Sequence, residues 1–198
     1  EKEKKSMSFN HIAAKLDKYI NKYYNITILR GILFFIGING LFFLVISLYV
    51  MGFEPGKELR FGLFVFSLGL ALASLLPLLI KPMFQRLGWW KRMDYLKAAR
   101  DIELRDSFVG EKLINAIQLN VVSDFNTDLI SAGIDQIIGS ITVFDIPSFV
   151  DIRVLKRASL ALIPLTMVFL AVLALGKMED AIEGSNRLVN FPTDYLPR

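Results

Sequence analysis

Hydrophobic residues are concentrated in three long runs without a charged side chain, at residues 31–53, 61–80 and 158–176. An α-helix rises about 1.5 Å per residue, so each run is long enough to cross the roughly 30 Å hydrocarbon core of a bilayer. The pattern predicts an all-α membrane protein with three transmembrane helices. We expect Pro77 to kink the end of the second span, and Pro164 lies in the first third of the third span.

Residues 1–30 show a different pattern, an apolar stripe at helical spacing with polar residues around it. The stripe comprises Phe9, Ile12, Ala13, Leu16, Tyr19, Ile20 and Tyr23. It predicts an amino-terminal amphipathic helix that lies in the cytoplasmic membrane interface, with its aromatic rings at headgroup depth. The alternative is that the stripe packs on residues 81–157, and the two arrangements are compatible with each other.

Residues 81–157 are predicted to form a helical domain inserted between the second and third spans. Apolar spacing indicates helices over 92–105, 108–118 and 124–141, with Ser123 or Asp124 as the cap of the last one. Residues 144–152 contain Pro147 and are more typical of a β-like connector. These short helices have apolar stripes that a small bundle buries.

Basic residues near the span ends are distributed unequally. Twelve Lys and Arg residues lie near the span ends in segments 1–30 and 81–157, against four in segments 51–60 and 177–198. Because Lys and Arg near span ends favour the cytoplasm, the amino terminus and the insert are predicted to be cytoplasmic. The 51–60 loop and the carboxyl-terminal tail of this multi-pass protein are then predicted to be extracytoplasmic.

The first two spans carry small and amide residues at spacings typical of helix contacts in membranes. The predicted helix-packing residues are Gly37, Asn39, Gly40, Gly62, Gly69 and Ala73. In the second span, Gly62, Gly69 and Ala73 share one side with Phe66 and form a seam. An amide in lipid usually finds an interhelical hydrogen bond, and a place in a transport pathway is the alternative reading of Asn39.

Aromatic residues flank the predicted spans. The predicted membrane-interface residues are Tyr19, Tyr23, Tyr24, Trp89 and Trp90. Residues 81–92 mix the two tryptophans with basic side chains, which is typical of a helix leaving the membrane toward the cytoplasm. A ligand platform is the alternative reading of the tryptophan pair.

Composition excludes most catalytic and metal chemistry. The chain has no cysteine, which rules out thiolate metal sites and cysteine nucleophiles. Its one histidine, His11, lies on the predicted interfacial helix, so no Ser/His/Asp set can be built. The three runs contain no Asp, Glu, Lys, Arg or His, which argues against a proton- or ion-driven transport subunit. The net charge of +4 is not clustered as in a nucleic-acid-binding module. We predict no catalytic, cofactor-binding or metal site, no small-molecule substrate and no nucleic-acid partner.

Several short runs along the chain are similar to those of one family. They lie at residues 15–18, 22–24, 29–31, 109–115, 118–119, 129–136 and 186–190. In these runs the chain resembles an uncharacterised membrane-protein family of Gram-negative bacteria, the domain of unknown function numbered forty-one seventy-five. The resemblance implies two spans and a cytoplasmic helical insert, followed by a third span and a long extracytoplasmic region. It also implies a bacterial inner membrane, with the carboxyl terminus in the periplasm. It brings no catalytic residues to this sequence.

These patterns favour a non-enzymatic structural or scaffolding subunit of an envelope complex. The expected partners are the lipid bilayer and other membrane-protein subunits, in a homo- or hetero-oligomer. The alternative is an auxiliary subunit of a transport or secretion complex, in which Asn39, Ser67 or Ser74 lines a pathway. Residues 177–198 are expected to form a short interfacial helix over 179–189 and then a linker, so that the sequence is the membrane-proximal part of a larger polypeptide.

Overall fold

A computed structural model describes residues 2–121, 133, 136–137, 139–141 and 144–190; for residues 2–8, 120 and 121 it describes the backbone only. These residues are largely helical, with no strand among them. The helices are α1 (Lys2–Phe53), α2 (Lys57–Leu75), α3 (Lys81–Leu87), α4 (Tyr95–Glu103), α5 (Ser107–Val121), α6 (Arg153–Ser159), α7 (Leu162–Ala174) and α8 (Met178–Val189). A π-helical segment, Leu76–Ile80, joins α2 to α3, and a 3-10 helix, Ile146–Phe149, precedes α6.

Three helical stretches are long and apolar enough to cross a membrane: Phe9–Phe53, Lys57–Leu87 and Ile146–Ala174. Each overlaps one of the three apolar runs of the sequence. The prediction of a helical chain with three helices long and apolar enough to span a membrane is therefore confirmed. The choice of membrane and the orientation stay predictions.

Pro77 changes the hydrogen bonding at the end of the second span. Because proline has no backbone N–H, it cannot donate to the carbonyl of Ala73, four residues before it. The helix continues through Leu76–Ile80 in the wider π register, in which the Lys81 N–H donates to the Leu76 carbonyl. The perturbation expected at Pro77 thus takes the form of a register change that keeps the helix continuous.

Pro164 has a related effect on the third span, which is divided into α6 and α7. Before it, the N–H groups of Leu160 and Ala161 donate to the carbonyls of Arg157 and Ala158, at 3.2 and 3.1 Å. These bonds join residues three apart, as in a 3-10 turn. The interruption follows from Pro164, whose ring excludes a regular α-helical bond to the carbonyl of Leu160.

The insert differs from the prediction at one segment. Residues 144–152 were expected to be β-like, but Ile146–Phe149 form a 3-10 helix, so that expectation is wrong. Pro147 lies in its first turn, where the fixed φ of proline suits a helix and its missing N–H costs no hydrogen bond. The Ser148 N–H and hydroxyl both donate to the carbonyl of Asp145, at 2.9 and 2.6 Å. The presence of Pro147 is therefore compatible with both an extended segment and a tight helical turn, which is why the sequence pattern did not distinguish them.

The other predicted helices of the insert are observed wherever the structure describes their residues. The helices expected over 92–105 and 108–118 are observed as α4 and α5. Asp94 and Asp106 precede them, and each aspartate accepts a hydrogen bond from a backbone N–H in the first turn of its helix. The helix predicted over 124–141, with its cap at Ser123 or Asp124, lies mostly outside the described residues. Residues 133, 136–137 and 139–141 are helical.

The chain divides into two compact units. The first, here called the insert unit, consists of Glu1–Ile26 and Phe84–Asp151. The second, here called the span unit, consists of Thr27–Met83 and Ile152–Arg198. Helix α1 contributes residues to both units.

The insert unit has a core of interlocking apolar side chains. The stripe of α1 supplies Ile12, Leu16, Tyr19 and Ile20, which are buried with residues of α4, α5 and the segment that follows. The described core from that part of the unit is Ala98, Ala99, Ile102, Val109, Leu113, Ala116, Ile137, Ile141, Ile146 and Val150. Of the two arrangements left open for the amphipathic helix, packing on the insert is the one that the structure contains.

Polar contacts fix α1 against the start of α4 in the insert unit. The Tyr95 hydroxyl donates to Asp17 at 3.1 Å, and Arg92 lies 3.3 Å from the other oxygen of the same carboxylate. Burial, and then the hydrogen bond to Asp17, raise the pKa of the Tyr95 phenol. The Tyr24 hydroxyl accepts the backbone N–H of Met93 at 2.9 Å. These contacts set the register between the two helices.

Candidate helix-packing site

Within the span unit, two glycines of α1 allow backbones to approach closely. A Cβ added at Gly31 would overlap the carbonyl oxygen of Leu78 in the π-helical segment. At Gly37 it would lie 2.6 Å from the carbonyl oxygen of Ala161, between α6 and α7. Such distances are below van der Waals contact, so a larger residue at either position requires the neighbouring backbone to move. The predicted packing residue Gly37 is therefore placed at a close contact within the chain.

The next two predicted residues on α1 make side-chain contacts. A Cβ at Gly40 would lie 3.1 Å from a methyl group of Leu165 on α7. The amide nitrogen of Asn39 donates to the Ser74 hydroxyl of α2 at 3.0 Å and to the Phe35 carbonyl of its own helix at 2.9 Å. An interhelical hydrogen bond of this kind was predicted for Asn39, and its partner is a serine that the sequence analysis considered only as a pathway residue.

A third close contact, between α1 and α8, was missed. A Cβ at Gly184 would overlap the carbonyl oxygen of Ser47, and the Ser185 hydroxyl donates to the Ser47 hydroxyl at 3.0 Å. Gly184 and Leu188 are buried along the same face of α8. A signal was present in the sequence, since Gly184 and Ser185 are small residues in the middle of an amphipathic helix. The pattern alone did not identify the helix they contact.

A buried arginine extends the contact between α1 and α8. The Arg187 side chain is 7% exposed and lies 2.7 Å from Glu183 and 3.3 Å from Glu54. Glu54 follows the end of α1 with a φ of +45°, an uncommon conformation for a residue other than glycine. Hydrogen bonds to Glu183 and Glu54 oppose the desolvation of the guanidinium and raise the pKa of Arg187. This ion pair joins the end of α1 to α8 on the side where the sequence analysis saw only an interfacial helix and a linker.

Three predicted packing residues on α2 differ from those on α1. Gly62, Gly69 and Ala73 are exposed, and a Cβ added at Gly62 or Gly69 would meet no described atom within 4 Å. Phe66, on the same face, is 60% exposed. The Phe66 ring nevertheless lies 5.5 Å from the Phe42 ring of α1. The small residues of the seam are thus left uncovered by the described part of the span unit, whereas the glycines of α1 are used within it.

The predicted interface residues divide between core and surface. Tyr19 and Tyr24 are buried in the core of the insert unit, and Tyr23 is partly buried against it. The structure thus places Tyr19 and Tyr24 inside the protein and not at a surface. Trp89 and Trp90 are 74% and 49% exposed. Only the tryptophan pair has the accessibility that contact with lipid requires.

The described residues line clefts in both units. One, of about 670 Å³, is lined in the span unit by Leu48, Met51, Gly52, Phe53, Glu54, Lys177 and Asp180. The other, of about 530 Å³, lies in the insert unit beside Lys112, Asn115 and Gln118 of α5. The charged groups of the first are paired, Lys177 with Asp180 at 3.5 Å and Glu54 with Arg187 at 3.3 Å. No cluster of three or more metal-ligating side chains occurs in the part of the chain that the structure describes.

No protein-family model, curated protein or solved structure matches this chain. The family resemblance of the short sequence runs therefore stays a prediction. Function is argued below from the packing geometry of the chain itself.

Proposed function

We propose that this protein is a non-enzymatic structural or scaffolding subunit of a bacterial inner-membrane envelope complex. One observation carries the proposal: the small residues of α2 face outward while those of α1 are used for packing inside the span unit. Small residues at a helix surface in lipid allow another helix to approach closely, which favours association in the absence of a hydrophobic driving force. The outward seam of α2 is thus the surface on which a helix of another subunit docks.

The anchoring of α8 supports a role in linking the two sides of the membrane. Helix α8 is held to α1 by the contact of Gly184 with Ser47 and by the ion pairs of Arg187. The chain therefore leaves α8 from a helix whose position is fixed by contacts with α1. In the proposed topology this end is periplasmic and the insert unit is cytoplasmic, as the distribution of basic residues predicts.

The alternative, an auxiliary subunit of a transport or secretion complex, receives less support. It requires Asn39, Ser67 or Ser74 to line a pathway. Asn39 and Ser74 bond to each other, and the Ser67 hydroxyl donates to the Leu63 carbonyl of its own helix at 2.8 Å. These polar groups are satisfied within the chain.

Purification of the full chain in mild detergent, with identification of copurifying membrane proteins, tests the proposal. We expect Gly69→Leu to weaken partner association by about 1–2 kcal/mol, the scale of interhelical contacts in membranes. Leu68→Phe is the matched control, because Leu68 is 50% exposed and its side chain projects about 100° around the same helix. Equal recovery of the partner with both variants would contradict the docking seam. An ATPase or a channel as the reproducible partner would favour the transport alternative.

Orientation is tested separately by labelling single cysteines from outside intact cells. The chain has no cysteine, so each introduced thiol reports one position. We expect Lys57→Cys to be labelled and Ser6→Cys and Asp128→Cys to be protected. The opposite result would overturn the proposed topology while leaving the docking seam untouched.

A further inference from the structure

The carboxyl end of α3, in the insert unit, is closed by a Schellman turn. Gly88 has a φ of +80°, which glycine adopts without the steric cost that a Cβ imposes. The Gly88 N–H donates to the Gln85 carbonyl at 3.3 Å, and the Trp89 N–H donates to the Phe84 carbonyl at 3.0 Å. These two bonds are the pair that defines the motif. The direction in which the chain leaves the helix is therefore fixed at Gly88.

The turn holds two tryptophan rings in place without burying them. The Trp89 ring stacks on Phe84 with centroids 5.2 Å apart, and the Trp90 ring meets Phe84 edge to face at 5.6 Å. The Gln85 side chain donates to the Lys91 carbonyl at 3.3 Å and ties the far side of the turn to α3. Trp89 nevertheless remains 74% exposed. Ordered aromatic rings with this much accessible surface are unfavourable in water and indicate a surface that binds something.

Charge identifies the chemistry of the occupant. Arg86 and Lys91 are exposed on the same turn, and the sequence has no Asp or Glu between Glu58 and Asp94. Along the chain, the turn lies at the carboxyl end of the candidate span Lys57–Leu87. Tryptophan favours the headgroup level of a bilayer, where its ring is in apolar surroundings and its N–H is in polar ones. Exposed cations beside it attract anionic lipids.

We propose that the turn Phe84–Lys91 is a preformed docking element of the insert unit for anionic phospholipid headgroups. The rings of Trp89 and Trp90 enter the headgroup region, and Arg86 and Lys91 contact the phosphates. Gly88 keeps the rings in a fixed arrangement, so little conformational entropy is lost on contact with the bilayer. This inference is independent of the scaffolding function, since it concerns contact with lipid and not with another subunit.

Intrinsic fluorescence provides a direct test, because Trp89 and Trp90 are the two tryptophans of the chain. The full chain is reconstituted into lipid vesicles that contain either brominated phosphatidylglycerol or brominated phosphatidylcholine at the same mole fraction. We expect bromolipid to quench the emission, with phosphatidylglycerol the stronger quencher by about twofold or more, given the attraction of each surface cation for anionic lipid. Trp89→Phe and Trp90→Phe then report each ring separately.

In the double variant Arg86→Gln/Lys91→Gln, the two brominated lipids should quench the emission equally. Both should still quench it, because the tryptophan rings remain accessible to lipid. The control Lys97→Gln/Arg100→Gln removes the same charge from exposed positions of α4 and should preserve the preference for phosphatidylglycerol. Equal quenching of the unmodified chain by both lipids would overturn the anionic preference. Emission that only aqueous iodide quenches would overturn lipid docking altogether. Shielding from both quenchers would show that protein covers the turn, and would also overturn it.

Discussion

The two units of this protein are packed by different means. The insert unit buries large side chains, among them Leu16, Tyr19, Ile102 and Leu113, which are completely inaccessible to solvent. The described core of the span unit contains few buried apolar side chains, a cluster of Ile46, Val50 and Leu188. Its helices meet instead where a glycine lies against a carbonyl oxygen. The insert unit also contains one such approach, since a Cβ at Gly110 of α5 would overlap the backbone of Glu103 on α4. Buried side chains dominate its packing, whereas the span unit depends mainly on the close approach of backbones.

The difference matches the two solvents, water and lipid, that the proposed topology gives to the two units. In water, burial of apolar side chains is the main favourable term in folding, so a unit with that kind of core suits an aqueous compartment. In lipid the surroundings of a helix are as apolar as its own side chains, and association depends on close packing and interhelical hydrogen bonds. The exposed surface of α2 and α7 is accordingly rich in Leu, Phe and Val. Packing style thus agrees with the hydropathy of each unit.

The largest expected effect is the loss of a side chain from the insert core. Leu113→Ala removes a fully buried side chain of α5 and should destabilise the insert unit by about 2–5 kcal/mol. Leu104→Ala is the control, since Leu104 is 87% exposed, and should change stability by less than about 0.5 kcal/mol. Hydrogen exchange of α4 and α5 peptides, measured by mass spectrometry on the full chain, reports the difference. Equal exchange in both variants would mean that this core does not hold the unit.

The span unit should respond to the opposite kind of change, the addition of one methyl group. Gly37→Ala places a Cβ 2.6 Å from the Ala161 carbonyl oxygen and should cost about 1–3 kcal/mol. Gly69→Ala meets no described atom within 4 Å and should be neutral or stabilising by up to about 1 kcal/mol, because alanine favours the helix. SDS titration followed by circular dichroism compares the two variants. A Gly37→Ala variant as stable as the unmodified chain would remove backbone approach as the basis of packing.

Sequence periodicity predicted the helices and the apolar runs well, because both depend on residues close in the chain. The stripe containing Leu16 and Tyr19 was recognised, but periodicity does not distinguish a lipid surface from a protein surface. The contact of Gly184 with Ser47 was missed for a similar reason. Which helix approaches a small residue depends on the tertiary arrangement, and residues 137 positions apart carry no local signal of it.

Tyr24 and Tyr19 allow a comparison, within the insert unit, of a buried hydroxyl that has a hydrogen-bond partner with one that has none among the described residues. Tyr24→Phe leaves the Met93 N–H without its acceptor and should cost about 1 kcal/mol. Tyr19→Phe makes the same chemical change where the buried hydroxyl has no hydrogen-bond partner among the described residues, so stability should stay equal or rise slightly. A urea titration of the full chain, monitored by hydrogen exchange of α1 peptides, distinguishes the stabilities of the two variants. A larger loss for Tyr19→Phe would show that its hydroxyl has a partner after all.

The smallest effect is expected at the hydrogen bond between Asn39 and Ser74, although it joins two candidate spans. In lipid an unfolded helix also finds partners for its polar groups, so such bonds average only about 0.6 kcal/mol. A double-mutant cycle with Asn39→Leu and Ser74→Ala isolates this coupling from the loss of each side chain, with Ser67→Ala as the control for a serine that bonds within its own helix. A coupling energy larger than the stability cost of Gly37→Ala would reverse the ranking. Polar contacts would then stabilise the span unit more than the close approach of backbones does.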